Sequence, residues 1–233
     1  MFRRLLRFLT ILIIASAIPF GITRYAQTLA QGPPAKSAPA ADEWADDFNG
    51  PELDQTKWER FTFEGGNGGT VKLENGQLRM RSVSGARSGV RSKQAFNGDH
   101  FVINATLAKV GPALPEPGQA SAPLGNAIVT VLFDGSGRNR IEWILTSENM
   151  FEAWAVVDGR AERLDSRNMA TKVTSPTLSI ARRGNEYLFA LNGQVGLKKT
   201  IKDLPRTFHV MLYGYGSSEN NWESVQVLIP KKS

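Results

Sequence analysis

The chain has 233 residues, of which 22 are Gly, 12 are Pro and none is Cys, and its formal net charge is +6. The lack of cysteine excludes disulfides, thiolate metal sites and a cysteine nucleophile. Residues 1–40 supply five of the six net charges, so the rest is nearly neutral, lacks the basic surface of nucleic-acid binders, and is not expected to have a nucleic-acid partner.

The N-terminus has the layout of an export signal. Arg3, Arg4 and Arg7 precede an apolar run at residues 8–22. This run falls between the lengths of a secretion signal and a membrane span, although residues 5–23 approach the roughly 17–20 residues that a bilayer requires. We therefore predict export to the periplasmic or extracellular face. Residues 1–30 are either a cleaved signal peptide or a retained transmembrane signal anchor.

A second segment separates this signal from the folded part of the chain. Residues 31–41 (QGPPAKSAPAA) contain too few large apolar side chains to enter a core, and their prolines stiffen them as a linker. Residues 42–230 contain no further break in composition. We predict that they form one domain.

Strand and turn signals follow one another through that domain. Val71 and Leu73 alternate with polar residues, Asn75-Gly76 supplies a tight turn, and alternation resumes at Leu78, which predicts a β-hairpin. Asp158-Gly159 and Asn192-Gly193 predict two more turns. Further strands are predicted at residues 101–110, 127–133, 140–146, 151–157, 177–182, 187–191, 208–215 and 224–229.

One connection is unusually long. Residues 111–125 (GPALPEPGQASAPLG) contain four prolines and no strand pattern. Connections of this length are uncommon and are often functional. We expect either a tolerated surface insertion or a segment that covers a ligand or contacts a partner.

Four stretches carry a resemblance to a known family. They are residues 46–82 (DDFNGPELDQTKWERFTFEGGNGGTVKLENGQLRMRS), 91–110 (RSKQAFNGDHFVINATLAKV), 178–194 (LSIARRGNEYLFALNGQ) and 208–229 (FHVMLYGYGSSENNWESVQVLI). Together they resemble the laminarinase-like and laminin-G-like sandwiches of the concanavalin A-like lectin/glucanase superfamily. The resemblance implies an all-β, two-sheet antiparallel jelly-roll sandwich. Some members also carry a structural calcium ion, but no Asp-rich loop here identifies ligands for one, and no cofactor is expected.

The catalytic motif of the hydrolases in that superfamily is incomplete. Those enzymes place their carboxylates on one strand as E-x-D-x-x-E, and this chain has only the fragment Glu52-Leu53-Asp54, with Lys57 at the third acidic position. We interpret the fragment as turn chemistry. Glu142 and Glu152 are better placed, on consecutive predicted strands. If they share one face of the sheet they form a candidate carboxylate pair; otherwise they are ordinary exposed charges, which is the interpretation we favour.

Aromatic and polar residues of the same hairpin suggest a binding site instead. Sugars have apolar faces and polar edges, so lectin-like sites combine exposed rings with hydrogen-bonding side chains. For each ring, packing in the core is the competing interpretation. The candidate ligand-binding residues are Arg140, Glu142, Trp143, Glu152, Trp154, Tyr213 and Trp222.

Three functions remain open from the sequence. The first is a non-catalytic, extracytoplasmic binding or assembly module with a glycan ligand. The second is a membrane-anchored structural subunit with a membrane-protein partner, attached through residues 5–23. The third is a diverged glycoside hydrolase that uses Glu142 and Glu152.

Overall fold

The computed structural model describes residues 41–63, 69–82, 87–112, 125–169, 173, 175–215 and 218–231. In these ranges no helix is long and apolar enough to cross a membrane. The predicted signal or anchor at residues 1–30, and the linker except for Ala41, lie outside the described residues. The strands are β1 (Ala41–Asp46), β2 (Trp58–Phe63), β3 (Gly69–Glu74), β4 (Gln77–Ser82), β5 (Arg87–Ser92), β6 (Phe96–Asn97), β7 (His100–Pro112), β8 (Asn126–Leu132), β9 (Arg140–Thr146), β10 (Met150–Val157), β11 (Arg160–Asn168), β12 (Thr177–Arg183), β13 (Glu186–Leu191), β14 (Gln194–Thr200), β15 (Thr207–Tyr215) and β16 (Ser218–Pro230).

The strands form two antiparallel sheets. Sheet A has the order β14-β13-β12-β7-β16-β4-β3, and sheet B has the order β11-β10-β9-β8-β15-β5-β2. Strand β16 pairs with β7 along most of its length, and on its other side with β4 and then with β1. Strand β6 pairs with the start of β15. This confirms the predicted all-β, two-sheet sandwich.

Tight turns join the predicted hairpins. Asn75-Gly76, Asp158-Gly159 and Asn192-Gly193 all have positive φ at both residues, as a type I′ turn requires. Such a turn matches the right-handed twist of the strands that it connects. The dipeptide signals in the sequence therefore located these three turns correctly.

An apolar core lies between the sheets. Alternate residues of each strand face it, and aromatic rings fill much of its volume. Phe101 and Phe208 lie 4.2 Å apart between ring centroids, and Trp58 contacts both Trp44 and Phe48. The Trp58 indole N–H donates to Asp46 Oδ2 at 2.7 Å, so the N-terminal strand is tied to the core by a polar bond as well as by packing.

Several parts of the chain differ from the sequence-based prediction. Gly111 and Pro112 belong to β7 and pair with β16, so the connection predicted from residue 111 begins later; residues 113–124 lie outside the described residues. The predicted strands did not include β1, β2, β5, β6, β11 or β14. Strand β11 is an edge strand of sheet B, mostly exposed and rich in charge, and therefore lacks the apolar alternation by which strands are identified.

A small ion network on sheet A predicts a pH dependence of stability. Burial alone would raise the pKa of Glu219, but hydrogen bonding to Arg79 and the charges of Arg79 and Lys109 outweigh it and hold this pKa below the usual glutamate range. The ionised carboxylate thus stabilises the fold above the unfolded-state pKa, and this contribution is lost as the pH falls through the folded-state pKa. As the pH falls below about 5, wild type should lose up to about 1 kcal/mol more unfolding free energy than Glu219→Gln. Urea titrations at several pH values measure the difference, and parallel curves would contradict it.

Candidate functional site

The outer face of sheet B brings together most of the candidate binding residues. In β9, Ile141, Trp143 and Leu145 face the core, so Glu142 and Ile144 face outward. The register places Glu142 opposite Trp154, and Ile144 opposite Glu152. Glu142 and Glu152 therefore lie on the same face of sheet B. A candidate carboxylate pair requires this arrangement, and the sequence alone did not decide it.

The centre of this face is a buried carboxylate held by two donors. Glu142 is 5% exposed. Its Oε1 accepts a hydrogen bond from Arg140 Nε at 2.6 Å and another from the Tyr213 hydroxyl at 2.5 Å. Tyr213 lies two strands away on β15, so its side chain crosses β8 to reach the carboxylate. We call Arg140, Glu142 and Tyr213 the polar floor of this face. It is rigid, because burial makes each of these hydrogen bonds costly to break.

The surroundings of this floor are mostly apolar. Ile128 and Ile144 pack with Met211, Tyr213, Phe61 and Trp154 in a cluster separate from the core. Thr130, opposite Glu142, is buried, and its hydroxyl has no hydrogen-bond partner. Glu142 and Tyr213 are thus part of the floor and offer little contact area of their own.

The more exposed groups lie along β10 and β11. Trp154 is half-buried, and its indole N–H donates to Glu152 Oε2 at 3.0 Å. Arg163, opposite Trp154 on β11, has its guanidinium carbon 6.0 Å from the indole centroid and its Nη1 3.6 Å from Glu152 Oε1. We call Glu152, Trp154 and Arg163 the β10–β11 strip. It combines an oriented ring, a carboxylate and a guanidinium.

The seven candidate residues do not all reach this face. Five do: Arg140, Glu142, Glu152, Trp154 and Tyr213. Trp143 and Trp222 pack in the core, where their indole N–H groups donate to Ala190 O at 3.1 Å and Asn220 Oδ1 at 2.8 Å.

The favoured interpretation of Glu142 as an exposed charge is wrong, because Arg140 and Tyr213 pair with it below the surface. Arg163 was missed by sequence reasoning. Its β11 segment carries no strand signal, and only the pairing with β10 reveals its position.

Other candidate chemistry is structural. Asp54 Oδ1 accepts bonds from the backbone N–H and the hydroxyl of Thr56, which confirms turn chemistry for that fragment. His209 Nδ1 lies 2.7 Å from Ser92 O. In the part of the chain that the structure describes, no group of three His, Asp or Glu side chains could hold a metal ion. The described residues therefore do not bring together a carboxylate cluster for the calcium ion that the resemblance implies.

Known proteins resemble this chain in structure at low sequence identity. The carbohydrate-binding module CBM66 from Bacillus subtilis is 12% identical, with a TM-score of 0.53 over 72% of this chain and 93% of that one. The endo-β-1,3-glucanase from Pyrococcus furiosus is 12% identical, with a TM-score of 0.62 over 82% and 94%. The Bacillus licheniformis β-glucanase is 13% identical, with a TM-score of 0.58 over 82% and 98%.

Neither a family model nor the sequence of a curated protein matches the chain. The structural likenesses extend over most of the described residues and confirm the predicted resemblance at the level of the fold. The chain has the concanavalin A-like jelly-roll fold that these glucanases and this carbohydrate-binding module share.

Proposed function

We propose that this protein binds carbohydrate without cleaving it, through the β10–β11 strip on the outer face of sheet B. The observation that carries the proposal is the position of Trp154, whose ring is fixed by Glu152 and bordered by Arg163 on one side of the strip. An oriented indole can stack on the apolar face of a sugar ring. The carboxylate and the guanidinium can then accept from and donate to the sugar hydroxyls at its edge.

The floor beneath the strip supports this role. Arg140, Glu142 and Tyr213 are mutually bonded, so the site is held in place before a ligand arrives, which lowers the entropic cost of binding. The fold adds to the case, because solved structures with this fold include a carbohydrate-binding module and several glucanases.

The same geometry argues against catalysis. A glycosidase needs one carboxyl group as a proton donor and a second as a nucleophile or base, both in contact with the substrate. Here Glu142 is buried with Oε1 occupied by two donors, and Glu152 Oε2 accepts the Trp154 indole. If Glu142 were the first or the second acid of the E-x-D-x-x-E motif, the acid two residues away would fall at position 144 or 140. These positions hold Ile144 and Arg140, which are not acidic.

A diverged glycoside hydrolase remains the second candidate because of one observation. Glu142 and Glu152 share a face and stand diagonally on adjacent strands. Diagonal positions in a sheet are roughly 7–8 Å apart, so rotation of either side chain could bring the carboxyl groups to a catalytic spacing. Analysis of an incubated oligosaccharide for products separates this candidate from the first.

The binding proposal predicts a large effect of removing one ring. Trp154→Ala should bind soluble β-glucan at least about tenfold more weakly than wild type, because buried tryptophans at interfaces commonly contribute more than 1.4 kcal/mol. Affinity gel electrophoresis with laminarin, a β-1,3-glucan, and a panel of other neutral polysaccharides measures the change. A melting curve establishes that the variant is folded. Undiminished binding by folded Trp154→Ala would contradict the proposed site.

A matched pair of arginines on β11 provides the control. Arg163 faces the strip, whereas Arg167 pairs with Phe151, whose side chain faces the core, and so lies on the other face of the strand. Both form an ion pair, with Glu152 and Asp165 respectively, and both are more than half exposed. Arg163→Ala should weaken binding, and Arg167→Ala should not.

We also propose that the protein acts outside the cytoplasm, attached or released through its N-terminus. The arginines and apolar run of residues 1–30 support export. The mass of the mature N-terminus, measured in membrane and soluble fractions, distinguishes the two forms. An intact N-terminus in the membrane with stoichiometric partners would favour the structural-subunit alternative, whereas a soluble form starting near residue 31 would support a free binding module. A cytosolic, unprocessed protein would contradict export.

A further inference from the structure

A second surface, apart from the outer face of sheet B, is the open side of the sandwich between the two sheet edges. One wall comes from β10 and β11 of sheet B, and the other from β14 and the segment 201–203 that follows it. The groove encloses about 870 Å³. This volume is within the range of roughly 300–1,000 Å³ that is typical of ligand sites. We call it the inter-sheet groove.

Cations line both walls of this groove. On the sheet B side, Arg138 comes from the connection between β8 and β9, and Arg160 comes from β11. Lys199 and Lys202 come from the opposite wall. Arg138 is fixed, since its Nη2 donates to Asp158 O at 3.0 Å.

No described carboxylate pairs with Arg160, Lys199 or Lys202, although neighbouring cations have such partners: Lys198 pairs with Glu186, Arg163 with Glu152 and Arg167 with Asp165. The lining holds four cations and the three carboxylates of Asp158, Glu162 and Asp203, so its formal net charge is +1 (4 − 3). An anionic group placed beside the cations without ion-pair partners would be attracted to them.

The groove is also lined by hydrogen-bond acceptors and by apolar side chains. The carboxylates of Asp158, Glu162 and Asp203 belong to the lining, and Ala155 and Ile201 are among its apolar residues. A ligand with anionic groups alone, such as a phosphate chain, would meet these carboxylates as like charges. A ligand that carries hydroxyl donors in addition to carboxylates satisfies both kinds of lining group.

From this mixture we infer that the inter-sheet groove binds an acidic polysaccharide, whose uronate carboxylates contact the four cations and whose hydroxyls donate to the three carboxylates. This site is independent of the carbohydrate site proposed at the β10–β11 strip, because it lies at the edge of the sandwich and includes none of the strip residues. The protein then has two carbohydrate sites of different charge preference. An acidic peptide is the competing ligand, but it supplies fewer hydroxyl donors for the carboxylates.

The test uses the full chain and polygalacturonate as the probe. Affinity electrophoresis should show binding that weakens as salt is added, because exposed charges are screened. The double variant Lys199→Gln/Lys202→Gln should lose at least about tenfold in affinity, equivalent to 1.4 kcal/mol. Arg160→Gln should lose affinity in the same direction. Arg167→Gln, which removes an exposed but ion-paired arginine of the same strand, should bind as wild type.

The outcomes separate this inference from the proposed function. Trp154→Ala should leave polygalacturonate binding intact, and the double lysine variant should leave laminarin binding intact. Absence of polygalacturonate binding, or equal binding by the double variant and wild type, would overturn the inference. Equally tight binding of polyglutamate would overturn the assignment to an acidic sugar.

Discussion

Arg182→Met should lower the free energy of unfolding by about 3–5 kcal/mol, because it leaves three backbone carbonyl groups at the end of the sandwich without their charged donor. Arg182 is 3% exposed. Its guanidinium donates to Gly184 O at 2.7 Å, to Leu204 O at 3.0 Å and to Pro205 O. These acceptors lie in the β12–β13 turn and in the connection before β15, so one side chain joins two turns at the same end of the molecule.

Two rings add to the effect of this substitution. The guanidinium carbon lies 5.3 Å from the Tyr187 ring centroid and 5.6 Å from that of Phe133. Methionine can fill much of the space of the aliphatic stem, but it leaves three carbonyl groups without their donor. Chemical denaturation measures the loss. Arg183→Met is the matched control, because Arg183 is the next residue and is exposed; it should change stability by less than about 0.5 kcal/mol. A similar small change for Arg182→Met would refute the role of its hydrogen bonds.

Gly89→Ala should destabilise the fold by at least about 3 kcal/mol or prevent folding, because there is no room for a methyl group at this position. Gly89 lies on β5 opposite Tyr213. An added Cβ would lie 2.5 Å from Tyr213 Cβ and 2.7 Å from its Cα, and would also clash with Leu212 O. Two of these atoms belong to the backbone, so the paired strand would have to move.

Gly135→Ala is the control for this second substitution. A Cβ there would meet no atom within 4 Å, so we expect a change of less than about 0.5 kcal/mol. Thermal and chemical unfolding of the two variants measure the contrast. The Gly89→Ala variant would also disturb the position of Tyr213 and with it the floor of the glycan site. If Gly89→Ala is as stable as wild type, the prediction is wrong, and β5 and β15 can move apart at little cost in free energy.

Local chemistry made the fold predictable from the sequence. Asn75-Gly76 and Asn192-Gly193 specify hairpins because few other residues adopt positive φ at two successive positions. Alternation around Leu78 and Phe189 identified strands whose inward residues form the core. Strand β11 escaped prediction because its stability comes from pairing with β10 along a charged edge, a long-range contact that leaves no periodic apolar pattern.

The candidate site was only partly predictable, for a related reason. The side-chain period of two places Arg140 and Glu142 on one face of β9, but the alternation alone does not determine the register of β9 with β10, or with β8 and through it with β15. That register brings Trp154 opposite Glu142 and brings Tyr213 within reach of it. The same alternation sends Trp143 into the core, and the composition of the segment gave no means of deciding which face was buried.

The molecule therefore has two surfaces with different chemistry. On the outer face of sheet B, the cations that border the strip are paired with carboxylates: Arg140 with Glu142, and Arg163 with Glu152. In the inter-sheet groove, Arg160 and the two lysines form no such pairs with the described residues. A neutral glycan suits the first surface, and an acidic glycan suits the second.

We propose that the outer face of sheet B holds a carbohydrate and leaves it intact. A titration of the purified chain with laminari-oligosaccharides by tryptophan fluorescence, followed by chromatography of the recovered sugar, tests both parts of this proposal. We predict a saturable change that is lost in Trp154→Ala, with the oligosaccharide recovered at its original length. Shortened products that disappear in Glu142→Gln would contradict the non-catalytic claim and establish the hydrolase candidate. If the tryptophan fluorescence stays unchanged with laminari-oligosaccharides and with a panel of other neutral oligosaccharides, the result would contradict binding itself.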